Sequence, residues 1–274
     1  MTVGEAIRAA ADRLAPTSDT ARLDAEILMA HALGMTRSDM LLKAMRERAP
    51  ESFPALVERR CAHEPVAYIT REAEFYGLTL KVTPATLIPR GDSETLVEAA
   101  LQWVGDSGRA LDLGTGSGAL LLAVLANCSG WQGVGLDASA DALAVAVRNA
   151  ASLGLVQRSQ WLVRNWHEAG WSDDLGTFDL LLCNPPYVEA AAELEPQVSA
   201  WEPASALFAG SAGLDDYLVL IPQLRALMNP QAIAILEIGA NQGDAVAAIA
   251  EAAGFACTLR RDLAGRARAL ILQA

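Results

Sequence analysis

Hydrophobic and polar positions follow two different rhythms along this chain. Up to about residue 70, apolar residues recur at helical spacing. The stretch "VGEAIRAAADRL" (3–14) predicts a first amphipathic helix. "TSDTARLDAEILMAHALG" (17–34) predicts a second, with Ser18 and Asp19 as candidate N-caps and Gly34 as the C-cap. "SDMLLKAMRERA" and "ALVERRCAHE" predict two more. No catalytic constellation falls in this part, which reads as a small helical bundle or as a partner-docking module.

The rhythm then changes. "EFYGLTLKVTPATLIP" alternates and is rich in β-branched and aromatic residues, with Gly77 at the expected turn of a short hairpin. From Ser93 onward, short apolar runs alternate with alanine- and leucine-rich segments. The runs are "ALDL", "GVGLD", "SQWLV", "FDLLLC", "AIAILEIG", "CTLRRDL" and "ARALIL". Strand and helix signals in alternation predict a doubly wound, mainly parallel α/β sheet. The expected organisation is a helical domain over 1–72, a hairpin connector over 73–92 and a catalytic domain over 93–274.

Composition narrows the function classes. Of 274 residues, 52% are hydrophobic, enough for a sizeable core. The formal net charge of −12 argues against the broad basic surface of a non-specific nucleic-acid binder, and suits a soluble cytoplasmic protein. Cys61, Cys128, Cys183 and Cys257 form no CxxC pair, so neither a zinc site nor a disulfide framework is expected. The three histidines (His31, His63, His167) show no metal or triad pattern and default to solvent. The amino-terminal segment lacks a signal-peptide pattern, and no apolar run reaches membrane-spanning length.

The candidate chemistry begins at "ALDLGTGSGALLLAVLA" (110–126), a strand, a glycine-rich turn and a helix. Gly114, Gly116 and Gly118 let the backbone approach a ligand closely. The spacing is not the dinucleotide GxGxxG; with Asp112 in the strand it suits a nucleoside carrying an amino acid. Asp137 ends the next strand, nineteen residues after Gly118, where a carboxylate can accept both hydroxyls of a ribose. Turn and acid together point to S-adenosylmethionine. Asn165 and Trp166 follow the third strand, either beside an adenine or as a packed loop; these alternatives stand open.

"NPPY" (184–187) closes the fourth strand. An amide or amino nitrogen has a delocalised lone pair, so methylating it requires alignment more than proton abstraction. The side-chain oxygen of Asn184 and the backbone carbonyl of Pro185 could hold both N–H bonds and aim the lone pair at the methyl carbon. The prolines fix the backbone, and Tyr187 offers a flat face to a planar group.

Over nearly its whole length the chain resembles the release factor glutamine methyltransferases of the PrmC/HemK family. The carriers are "EPVAYIT", "EFYGLTLKVTPATLIPRGDSETLVEAAL", "LDLGTGSGAL", "FDLLLCNPPYV", "EPASALFAGSAGLD" and "LEIGANQG". The resemblance implies a class I S-adenosylmethionine-dependent methyltransferase fold, a Rossmann-like seven-stranded sheet, with a small N-terminal helical domain that helps dock the substrate. It implies that Gly114, Thr115, Gly116, Ser117, Gly118, Asp137, Trp166 and Asn184 bind the cofactor. Asn184, Pro185, Pro186 and Tyr187 would hold the substrate, with Asn184, Pro185 and Tyr187 catalytic and no metal involved. The implied substrate is the GGQ glutamine of bacterial class 1 peptide release factors, modified by a monomer without membrane or direct nucleic-acid contact.

The chain departs from the family pattern at Arg71 and Gly91, where glycine and proline are usual, at Ser93 for threonine and at Asn165 for aspartate. NPPY is shared with nucleic-acid amino-methyltransferases, which supply the alternative reading. A cofactor-binding module without turnover is a third.

Overall fold

The computed structural model describes residues 1–274, which form two compact units. The first comprises Met1–Glu72 and Leu194–Trp201; the second comprises Ala73–Glu193 and Glu202–Ala274. No helix is long and apolar enough to cross a membrane.

In the first unit, the helix Val3–Leu14 opens with a capping box: the Glu5 N–H donates to Thr2 and the Thr2 N–H to the Glu5 carboxylate at 2.8 Å. A second helix, Ala21–Leu33, ends at Gly34 with φ +65°, as expected of a C-cap. Its start corrects the expectation for Ser18 and Asp19, because the cap position is Thr20. The Ser18 hydroxyl instead donates to Asp24 at 2.8 Å. Asp24 is buried against Arg60 (2.7 Å), and satisfying this inner ion pair outweighs local capping. Arg60 also donates to Gln197 (3.0 Å), tying the segment Leu194–Trp201 into the unit. The third predicted helix is a single turn, Arg37–Asp39, running into a π-helix, Met40–Ala44. Val3, Ile7, Leu28, Met40, Phe53 and Val57 meet in the core.

The second unit holds the hairpin β1 (Glu72–Phe75) and β2 (Leu78–Lys81). Tyr76 and Gly77 both have positive φ, the signature of a two-residue type I′ turn. Seven further strands are β3 (Ser107–Leu113), β4 (Gly130–Asp137), β5 (Ser159–Val163), β6 (Phe178–Cys183), β7 (Met228–Glu237), β8 (Ala256–Arg261) and β9 (Ala267–Gln273). They form one sheet in the order β5-β4-β3-β6-β7-β9-β8. The first five are parallel, and β9 runs antiparallel to both β7 and β8. All seven runs picked out by pattern are strands.

Alternation along β6 shows how the sheet is covered. Leu180 and Leu182 pack with the helices Glu94–Trp103 and Ala119–Asn127 on one face. Leu181 and Cys183 pack with Asp215–Leu224 and Gly243–Ala252 on the other. The chain winds outward from β3 in both directions, so a crevice opens at the carboxyl ends of β3, β4 and β6. Asn149, fully buried on the helix Ala140–Ser152, braces that edge. Its side chain receives the Lys81 N–H (2.7 Å) and donates to the carbonyls of Lys81 (3.0 Å) and Ser117 (2.8 Å).

Arg71 caps the short helix Val66–Thr70 in the left-handed region, at φ +61°. A β-carbon there costs about 1 kcal/mol, which explains why glycine is the usual residue at this position. Arg71→Gly is expected to raise unfolding free energy by about 1 kcal/mol. Chemical denaturation checks it, and an unchanged or lower midpoint refutes the strain.

Candidate active site

The carboxyl edge of the sheet encloses a cavity of about 530 Å³, within the range of small-molecule sites. Gly114, Thr115, Gly116, Ser117, Asp137, Asn165, Trp166, Asn184 and Pro186 all line it. At Gly114, a β-carbon would come within 3.1 Å of the Trp166 ring, so this glycine lets tryptophan and turn meet. Gly118 is not in the cavity wall. There a β-carbon would lie 3.0 Å from both Leu122 and Trp161, so its bareness serves helix-on-sheet packing.

Two carboxylates hold the turn. The Asp137 oxygens accept the Gly116 N–H (2.9 Å) and the Ser139 N–H (2.8 Å). Burial raises the Asp137 pKa, and these two donors pull it back. Each oxygen keeps a lone pair that a ribose hydroxyl could meet. The helix behind is capped separately by Ser139, whose hydroxyl accepts the Ala142 N–H. Asp112 lies beneath the turn and accepts the Thr115 hydroxyl at 2.5 Å. Burial pushes its pKa up to about 7, against the opposing Thr115 bond.

Trp166 is anchored by a residue that pattern reading does not single out. Its indole N–H donates to Asp216 (2.8 Å), and the His167 imidazole meets the same oxygen at 3.0 Å. His167 therefore departs from expectation: although exposed, it has a carboxylate partner and borders the cavity. Asn165 accepts the His167 N–H at 3.0 Å, so its amide shapes the loop that carries the tryptophan. Asp216 stands on the helix Asp215–Leu224, fifty residues on, beyond the reach of local motif logic.

At the end of β6, Asn184 and Pro186 face the cavity, while Pro185 is buried and Tyr187 is half-buried behind them. The Asn184 side chain and the Pro185 carbonyl make no intramolecular hydrogen bond. The segment that follows is tied down. The Tyr187 hydroxyl donates to Glu237 (3.1 Å), and its carbonyl accepts from Gln242 (3.1 Å). Val188 exchanges backbone hydrogen bonds with Leu207 and Ala209. Glu202 pairs with Arg90 and accepts the Ile88 N–H, while Glu94 accepts the Tyr76 N–H, so Arg90 and Glu94 have separate partners. Phe75, Ser93 and Phe208 complete the wall.

One half of the cavity thus offers a bare glycine turn, a diol acceptor and an aromatic wall, and the other offers the free side-chain oxygen of Asn184. The donor set fits S-adenosylmethionine: the bare Gly116 leaves open space on the turn, and the carboxylates Asp137 and Asp216 suit a cationic ligand.

Known proteins resemble this chain in family and in fold. The family described as "PrmC N-terminal domain" matches residues 5–70, and "Methyltransferase small domain" matches residues 92–201. The chain is 41% identical over 257 residues to a release factor glutamine methyltransferase of Rhodospirillum rubrum, covering 91% of this chain and 78% of that protein. Identity to the one of Cereibacter sphaeroides is 40%, over 98% of this chain and 97% of the relative. Among solved structures, a methyltransferase from Pyrococcus furiosus superposes with a TM-score of 0.53 at 16% identity, over 72% of this chain and 88% of that one. The hMettl16 catalytic domain, in complex with a MAT2A 3'UTR hairpin, gives 0.55 at 15% identity, over 72% and 76%. At such identities the likeness is one of fold.

Asp112 carries a measurable signature. The folded chain holds its proton up to about pH 7, whereas the unfolded chain releases it near the ordinary value, about 3.9. Its contribution to stability is therefore full below about pH 4 and lost as pH rises through 7. Between pH 5 and 8 this amounts to about 2–3 kcal/mol. Asp112→Asn should remove that portion of the pH dependence, read by denaturation at both pH values; identical slopes in parent and variant would refute the raised pKa.

Proposed function

Because this chain belongs to the release factor glutamine methyltransferases, we propose that it methylates the side-chain amide nitrogen of a glutamine in peptide release factors. By the resemblance in sequence, that glutamine would be the one in the GGQ motif of bacterial class 1 factors. The cofactor is S-adenosylmethionine, which when bound supplies an electrophilic methyl group on a cationic sulfur. Gly114, Thr115, Gly116 and Ser117 would cradle its amino-acid end, Asp137 its ribose and Trp166 its adenine.

One observation supports the reading: the Asn184 side chain, on the cavity wall, and the carbonyl of the adjacent Pro185 make no intramolecular hydrogen bond. Two acceptors on a rigid turn can hold both protons of a carboxamide NH₂ group. The lone pair then stands perpendicular to the plane of the held group, directed along one line. Pro186 lies along the wall, and Tyr187 would back the planar amide. A neutral asparagine has the further merit of not competing for the cation. The helical unit, residues 1–72, would dock the release factor, in the cytoplasm and as a monomer, with residues 73–92 connecting it to the catalytic part.

Labelled methyl groups from S-adenosylmethionine are expected in release factor and absent from a factor whose GGQ is changed to GGA. Label found only in RNA or DNA would sink the proposal in favour of nucleic-acid amino-methylation. Asn184→Ala should lower kcat by about 100-fold or more, with cofactor affinity changed only a few-fold. Turnover near that of the parent would end the two-acceptor mechanism.

A further inference from the structure

Glu237, at the end of β7, is the most deeply buried carboxylate not yet given a role. It lies one residue beyond the Cys183–Leu236 pair of the β6–β7 register, beside the start of NPPY, and is 1% exposed. Burying a carboxylate costs several kcal/mol unless it is fully paired, and an apolar residue of similar volume often serves stability better. Here the pairing is incomplete. Arg268 stands 4.0 Å away, and its other terminal nitrogen is engaged by Asp92 at 3.0 Å. One Glu237 oxygen has no hydrogen-bond partner. Burial raises its pKa; the Ser93 hydroxyl, nearby but outside hydrogen-bond geometry, and Arg268 only partly compensate.

The strand end does not need this charge. The backbone carbonyl of Glu237 is held independently by the Tyr217 hydroxyl at 2.7 Å. The one hydrogen bond the carboxylate itself receives comes from the Tyr187 hydroxyl, at 3.1 Å. Ser93, near the carboxylate, is a wall residue of the cavity.

We propose that Glu237 is a positioning residue for methyl transfer, fixing the Tyr187 ring, and with it the NPPY turn, through this single hydrogen bond. Arg268 and Ser93 offset part of the cost of the carboxylate there, while Asp92, a like charge that engages Arg268, adds to it. The inference rests on the function proposed above and adds a residue that touches neither substrate nor cofactor. It explains why a carboxylate stands where packing favours leucine.

The test compares Glu237→Leu, Glu237→Gln, Tyr187→Phe and the Tyr187→Phe/Glu237→Leu pair. The readouts are kcat and KM on release factor, S-adenosylhomocysteine affinity and the unfolding midpoint. Glu237→Leu is expected to lower kcat by about 10- to 100-fold, with cofactor affinity within about twofold and no loss of midpoint. Tyr187→Phe should lose a similar factor, and the double variant no more than either single one. Glu237→Gln, which keeps an acceptor oxygen, should restore most of the rate. The inference fails if Glu237→Leu keeps its kcat, if the two losses multiply, or if glutamine rescues nothing. Should the leucine variant not fold, Glu237→Gln in the Tyr187→Phe background decides: any further loss there overturns the coupling. No transfer by the parent chain would sink the proposed function and this inference together, whereas an active parent with unaffected variants sinks only this one.

Discussion

Parallel pairing of β3 with β4 on one side and β6 on the other is the constraint from which the rest follows. Three strands pointing the same way must end at the same edge, and their loops then converge without further arrangement. The glycine turn follows β3, Asp137 ends β4, and Asn184 follows β6. None of the three has meaning as a site by itself. Side by side, they join a bare cradle, a diol acceptor and an amide acceptor within one cavity.

The same edge collects acids, buried or half-buried. Asp112, Asp137, Asp216 and Glu237 all lie at or just beyond strand ends or beside the cavity, and burial raises the proton affinity of Asp112, Asp137 and Glu237. Backbone N–H groups of the turns and the hydroxyls of Thr115 and Tyr187 offset part of that cost. An apolar edge would hold the sheet at lower cost. Of the four, Asp137 and Asp216 line the cavity itself.

Much of this was legible in the primary structure. Strands buried on both faces appear as uninterrupted apolar runs, and the glycine turn, Asp137 and NPPY each occupy a single short stretch. What escaped was assembled from afar. Asn149 joins the hairpin to the glycine turn across 32 to 68 positions, and Asp216 reaches Trp166 across 50. Neither carries a local signature that would separate it from an ordinary helical residue. Local reasoning also failed where a buried group made a competing claim. Ser18 serves Asp24 rather than a cap, and Gly118 is bare for Leu122 and Trp161 rather than for a ligand. The left-handed Arg71 shows the converse, a tolerated local violation whose cost is visible only in the backbone.

The interruption at Leu194–Trp201 changes what counts as a boundary. Residues on both sides of that octet belong to the second unit, while the octet itself belongs to the first, held there through Gln197 by Arg60. No single break in the polypeptide can therefore release either unit intact. A fragment beginning at residue 73 would keep the octet but lose the buried arginine that receives it. A fragment ending at residue 72 would leave that arginine one acceptor short. Two units that are separate as bodies are thus inseparable as heredity: exchanging the helical part between relatives would require recombination at three points rather than one.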